Sequence, residues 1–96
     1  MQRGQRQIQP SELQRRAIGV IVSEFRKAAG LSQEALSALC GVERTYLSRV
    51  ERGILTPTAI RLWKIADAIE SPFQTMVGAM EVWVAKERKS RRSGTG

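Results

Sequence analysis

The sequence contains no histidine and a single aspartate, Asp67. Histidine is the side chain that titrates near neutrality and the commonest transition-metal ligand, so the usual general base and the usual metal ligand are both missing. Cys40 is the one cysteine. It excludes an intrachain disulfide, and without histidine it cannot build a zinc site of ordinary make-up. No run approaches the ~18 uninterrupted apolar residues of a membrane span. The opening residues Met1-Gln2-Arg3-Gly4-Gln5-Arg6-Gln7 have no apolar stretch behind them of the kind a secretion signal needs. No glycine-rich phosphate loop is present. These absences argue against an enzyme, a metal or other cofactor and a membrane partner. They make a reducing, cytoplasmic location the expectation, with Cys40 packed as a small hydrophobe at the apolar side of its helix.

What is there is a chain of 96 residues, 42% hydrophobic and 5% aromatic, which suits one small helical domain. The formal charge is +7. Its placement is uneven: +4 over residues 1–30, zero over 31–80, and +3 over 81–96. A basic excess favours polyanions. Because it sits in the flanks, two readings stay open: added phosphate contacts, or solvated tails.

Five helical segments follow one another with short connections, and no run alternates with period two. Ser11 and Gln14 form a capping box for the first, in which Ile18, Ile21, Val22, Phe25 and Ala28 or Ala29 recur at helical spacing before Gly30. Ser32 caps the second, with Leu36 and Leu39 marking its buried side and Gly41 its stop. The third runs from about Glu43 to Arg52 and ends at Gly53. Thr56-Pro57 opens the fourth with proline at its first position, its inner face being Leu62, Ile65, Ala66 and Ile69. Ser71-Pro72-Phe73-Gln74 opens the fifth as a second capping box.

The segment Gln33 to Gly53 carries the chemistry. Two short helices meet at Gly41, where a tight turn needs a positive φ that glycine reaches without strain. Ser37 is small at the expected crossing of the two helices. Tyr46, Leu47 and Val50 face inward on the third helix, with Val42 just ahead of it. This leaves Arg44, Thr45, Ser48, Arg49 and Arg52 on the outer side. A helix of this width fits the major groove of B-form DNA. Arginine there bridges guanine O6 and N7, and threonine or serine reaches base edges or phosphate. An Arg/Ser/Thr face alone more often belongs to a solvated amphipathic helix than to a DNA reader. The order helix, glycine turn, basic helix and Glu51-Arg52-Gly53 stop separates the two readings.

Leu31-Ser32-Gln33-Glu34-Ala35-Leu36, Gly41-Val42, Tyr46-Leu47-Ser48, Val50-Glu51-Arg52-Gly53 and Pro57 followed by Leu62 and Ile65-Ala66 together resemble the phage repressor and Cro (XRE-type) helix-turn-helix family. The resemblance covers residues 18–77. Arg44-Thr45-Tyr46 is also similar to members that act as controllers of restriction–modification systems. The resemblance implies an all-α, five-helix lambda-repressor-like DNA-binding domain over residues 11–85, and composition adds a disordered basic arm at 1–10 and a basic flexible tail at 86–96. It implies a transcription regulator that reads double-stranded DNA. Gln33 would bond phosphate or orient base contacts, Arg44, Thr45 and Arg49 would read bases, and Arg26 would pair with Glu51 between the first and third helices. Ser37 stands where alanine is usual, and Glu70 where a glycine commonly ends the fourth helix.

In the fifth helix Phe73, Met76, Val77, Met80, Trp83 and Val84 form a stripe three turns long. The expectation is that Met76, Met80, Trp83 and Val84 serve a two-fold homodimer on an inverted-repeat operator, with recognition helices ~34 Å apart. The competing reading folds the stripe back onto the same core. Two other functions compete: an antitoxin-like module that binds a protein partner as well as DNA, and an RNA-binding domain. The latter is disfavoured because a packed Tyr46 leaves no aromatic platform for stacking bases.

Overall fold

A computed structural model describes residues 11–95, with side chains through Arg91. The arm expected over residues 1–10 and the last residue, Gly96, lie outside the described residues. Five helices follow in order: α1 Glu12–Ala28, α2 Gln33–Cys40, α3 Arg44–Glu51, α4 Ala59–Ile69 and α5 Phe73–Thr95. The all-α expectation holds, with no strand among the described residues.

Local chemistry sets the helix starts. Ser11 Oγ accepts from Gln14 N at 3.1 Å while Ser11 N donates to Gln14 Oε1 at 3.3 Å, the reciprocal capping box read from the sequence. Ser32 Oγ accepts from Ala35 N at 3.0 Å. Gly41 takes φ 73° and closes α2 with its N–H on Ser37 O. Two starts shift. Thr58, not Thr56, caps α4: its Oγ1 accepts from Arg61 N at 3.2 Å, so Pro57 lies ahead of the helix rather than at its first position. Ser71 Oγ lies against Pro72 O rather than capping Gln74, and the first helical bond of α5 runs from Met76 N to Pro72 O. Between these helices Glu70 sits at φ 64°, ψ 38°, where a glycine would be unstrained.

The core is built around α1 and α5, which pack along each other, with α3 laid across α1 and α2 wedged between α3 and α4. Leu36, Leu47, Ile65, Met76, Val22 and Val50 are fully buried. Several sequence expectations are corrected here. Leu39 is 62% exposed, because α2 buries Leu36, Ser37 and Cys40 and turns Leu39 outward. Ala28 and Ala29 are exposed, and the inner stripe of α1 starts instead at Leu13 and ends at Arg26. Met76 and Met80 are buried within the chain itself, and Trp83 and Val84 are half-buried against the same core. The α5 stripe therefore folds back on α1, and Met76 and Met80 are not surface held for a partner. The basic stretch expected as a tail from residue 86 is helical through Thr95.

One contact escaped the sequence reading. Gly19, in the middle of α1, lies against the carbonyl oxygens of Val50 and Glu51 at the end of α3. A Cβ there would stand 2.6 Å from Val50 O and closer still to Glu51 O. The absent side chain lets the two backbones touch.

Candidate nucleic-acid interface

The α2–α3 pair places the reading candidates. Gly41 turns the chain sharply between the helices. Ser37, 5% exposed, sits small at the crossing and spends its hydroxyl on Glu34 O at 3.0 Å, so the serine leaves no polar atom unsatisfied there. Leu47 and Val50 anchor the inner side of α3 at 0% exposure. The outer side then presents Arg44, Thr45 and Arg49, all exposed, with Ser48 half-buried between them. Arg52, just past α3, is exposed and its Nε reaches back to Ser48 O at a long 3.4 Å.

Beneath this face lies a polar network. Arg26 and Glu51 form a two-pronged ion pair: Nε to Oε2 at 2.7 Å and Nη2 to Oε1 at 3.0 Å, with side chains 10% and 6% exposed. Arg26 Nη1 also donates to Leu31 O at 2.8 Å. The hydrogen bonds from Arg26 to Glu51 raise its pKa further above the usual arginine value, against the opposing pull of burial, so the guanidinium stays charged. Gln33 continues the network. Its Nε2 donates to Glu51 Oε1 at 2.8 Å, and its Oε1 accepts from Arg44 Nη1 at 3.3 Å. The chain Arg26–Glu51–Gln33–Arg44 thus runs from the core to the outer face of α3. Sequence pattern placed Arg26 near Glu51 by resemblance and left Gln33 unconnected to either; residues 18 apart give no local signal for that bond.

Tyr46 is half-buried, with the guanidinium of Arg61 4.7 Å above its ring. That cation covers the ring face a stacked base would need. Cys40 is buried, its Sγ donating weakly to Lys64 O at 3.8 Å, and burial pushes its thiol pKa up. It is a packed side chain held protonated, not an activated thiolate. Among the described residues no group of three or more potential metal ligands comes together, and no helix is long and apolar enough to cross a membrane.

Comparison with known proteins bears on this geometry. The family pattern described as helix-turn-helix matches residues 22–75, which span α2, α3, α4 and the interface above. An HTH-type transcriptional regulator, y4dJ of Sinorhizobium fredii, itself uncharacterized, is 38% identical over 55 residues, 57% of this chain and 71% of that protein. The crystal structure of the restriction–modification controller protein C.AhdI from Aeromonas hydrophila is similar with a TM-score of 0.63 at 34% identity, covering 65% of this chain and 94% of that one. The clp gene regulator ClgR from Corynebacterium glutamicum shares the fold, with a TM-score of 0.82 over 85% of this chain and 87% of that one, at 21% identity.

Proposed function

We propose, from the premise that the chain belongs to the helix-turn-helix family and is a DNA-binding transcriptional regulator, that it works as a homodimer on an inverted-repeat operator. Helix α3 enters the major groove with Arg44, Thr45 and Arg49 toward base edges. Gln33, Ser48 and Arg52 flank them within reach of phosphate.

The observation that carries this assignment is the Arg44–Gln33 hydrogen bond, anchored on the buried Glu51. An exposed arginine normally samples many rotamers. One tied through Gln33 to a buried ion pair has its direction set before DNA arrives, which is what bidentate reading of guanine requires. Arg49 is also exposed and lies one turn past Thr45 along α3.

A dimer follows from recognition arithmetic. One short helix reads only a few base pairs, too few to select a genomic site, and a two-fold pair doubles the readout over half-sites ~34 Å apart. The protein is read as a cytoplasmic regulator without enzymatic activity, since a family of this kind acts by occupying DNA.

Selection of retained duplexes from a random library at near-physiological salt tests the reading. Enrichment of an inverted repeat with centres about one helical turn apart is expected. Retention with no enriched sequence would overturn base readout and leave only charge-driven binding.

A further inference from the structure

Helix α4 has a second stripe that the monomer does not use. Leu62, Ile65 and Ala66 are buried, and Ile69 packs against the same core. On the opposite side Ile60, Trp63, Lys64 and Asp67 recur at i, i+3, i+4 and i+7, and all four are exposed. Ile60 is 63% exposed and Trp63 50%. Yet the indole is held. It stacks on Phe73 with ring centroids 4.5 Å apart and planes 4° from parallel. Its rotamer is fixed before any partner arrives, which lowers the entropy lost on association. A rigid, half-exposed tryptophan beside an exposed isoleucine is the composition found at the centre of interfaces rather than on free surface.

We propose that this α4 stripe is the surface through which two copies of the chain pair. The proposal rests on the homodimer reading above and adds where that dimer is held. The α5 stripe is used in part by the fold: Met76 and Met80 are buried in the chain's own core, and Phe73, Val77, Trp83 and Val84 are half-buried. The shallow groove that α5 leaves beside α1 has Ala17, Ile18, Val77, Met80 and Val84 in its lining and a polar edge of Gln14, Glu81 and Arg88.

Charge argues that the occupant is a second copy. The stripe holds one cation, Lys64, and one anion, Asp67, three residues apart next to Trp63. When two such α4 helices cross antiparallel about a two-fold axis between positions 64 and 67, each Lys64 meets the other copy's Asp67. A stripe of one charge sign would repel its own copy and select a partner of opposite sign. The chain carries +7 overall, which opposes self-association, but residues 31–80, which include α4, are net neutral. The arginine-rich outer side of α3 is a separate surface and stays free for DNA.

The test is sedimentation equilibrium on the full chain without DNA, with circular dichroism as the check on folding. Wild type is expected to dimerise. Ile60→Asp and Trp63→Asp should each raise the dimer dissociation constant ~100-fold. Ile60→Asp is the cleaner of the two, because Ile60 has no ring contact to lose. Lys64→Glu and Asp67→Lys alone should each raise it ~10-fold. The double variant Lys64→Glu/Asp67→Lys should return toward wild type, since a two-fold interface swaps both charges together. A dimer unmoved by Ile60→Asp and Trp63→Asp, or a double variant no better than the singles, overturns the α4 assignment and leaves the dimer reading standing. A wild type that is monomeric at every concentration overturns both.

Discussion

The two sides of α3 share eight residues and have opposite physical characters. On the inner side Leu47 and Val50 are fully buried, and Glu51 is held by Arg26 and Gln33. On the outer side Arg44, Thr45 and Arg49 are exposed, and neither arginine is in an ion pair among the described residues. The inner side is fixed by packing and paired charge. The outer side is an unneutralised basic face, stable only because the inner side holds the helix in place. It follows that stability and DNA reading are separable by substitution along α3 except at Glu51, which Gln33 on α2 links to Arg44.

The largest expected effect breaks the inner side. Glu51→Ala leaves the guanidinium of Arg26 buried without its partner and should cost ~3–5 kcal/mol of unfolding free energy in a urea titration. Operator affinity of the protein that stays folded should fall as well, since Gln33 loses the anchor through which it holds Arg44. If Glu51→Ala melts like wild type, the pair is not structural. Gly19→Ala comes next. Its new methyl meets the carbonyls of Val50 and Glu51, both backbone atoms that cannot rotate away. A cost of ~3 kcal/mol is expected, at the upper end for overpacking, because α3 as a whole must lift off α1. A cost near zero would mean the α1–α3 approach is looser than described.

The outer side should behave in the reverse manner. Arg49→Ala is expected to leave the urea midpoint within ~0.5 kcal/mol of wild type, as exposed substitutions do. On the selected operator it should lose ~1–3 kcal/mol of binding, with little change on random duplex. Equal losses on both duplexes would make Arg49 a phosphate contact and move base reading to Arg44 and Thr45.

Much of this contrast was legible in the sequence, for definite reasons. Helix starts and stops were readable where one residue's chemistry decides them, as at Ser11, Ser32 and Gly41. The outer face of α3 was readable because it follows from period 3.6 and residue type. What stayed hidden depends on partners distant in sequence. Leu39 and Cys40 compete for the inside of a two-turn helix, and the packing of α2 on α4 turns Cys40 in and Leu39 out. Met80 looked like spare apolar surface because nothing local reveals that α5 lies along α1. Gly19 carried a faint signal, a glycine inside an apolar-periodic helix, which usually marks a close backbone approach. The Gln33–Glu51 bond had none.

The smallest effect sharpens the comparison by leaving α3 alone. Glu70 ends α4 in the left-handed region, φ 64°, and it is the only non-glycine residue with positive φ among the described residues. Its N–H bonds to Asp67 O at 3.0 Å and Ser71 N to Ala66 O at 2.9 Å, so the turn is fully bonded and the cost lies in the backbone conformation itself. For an L-residue that cost is roughly 1–2 kcal/mol. Glycine removes it but adds freedom to the unfolded chain worth ~0.4–1 kcal/mol. The difference predicts that Glu70→Gly stabilises the fold by ~0.5–1 kcal/mol. Affinity for the selected operator should be unchanged, since neither side of α3 is touched. A stabilised variant with altered operator affinity would mean that the α4–α5 turn is coupled to the reading helix, and the two sides of α3 would no longer be separable.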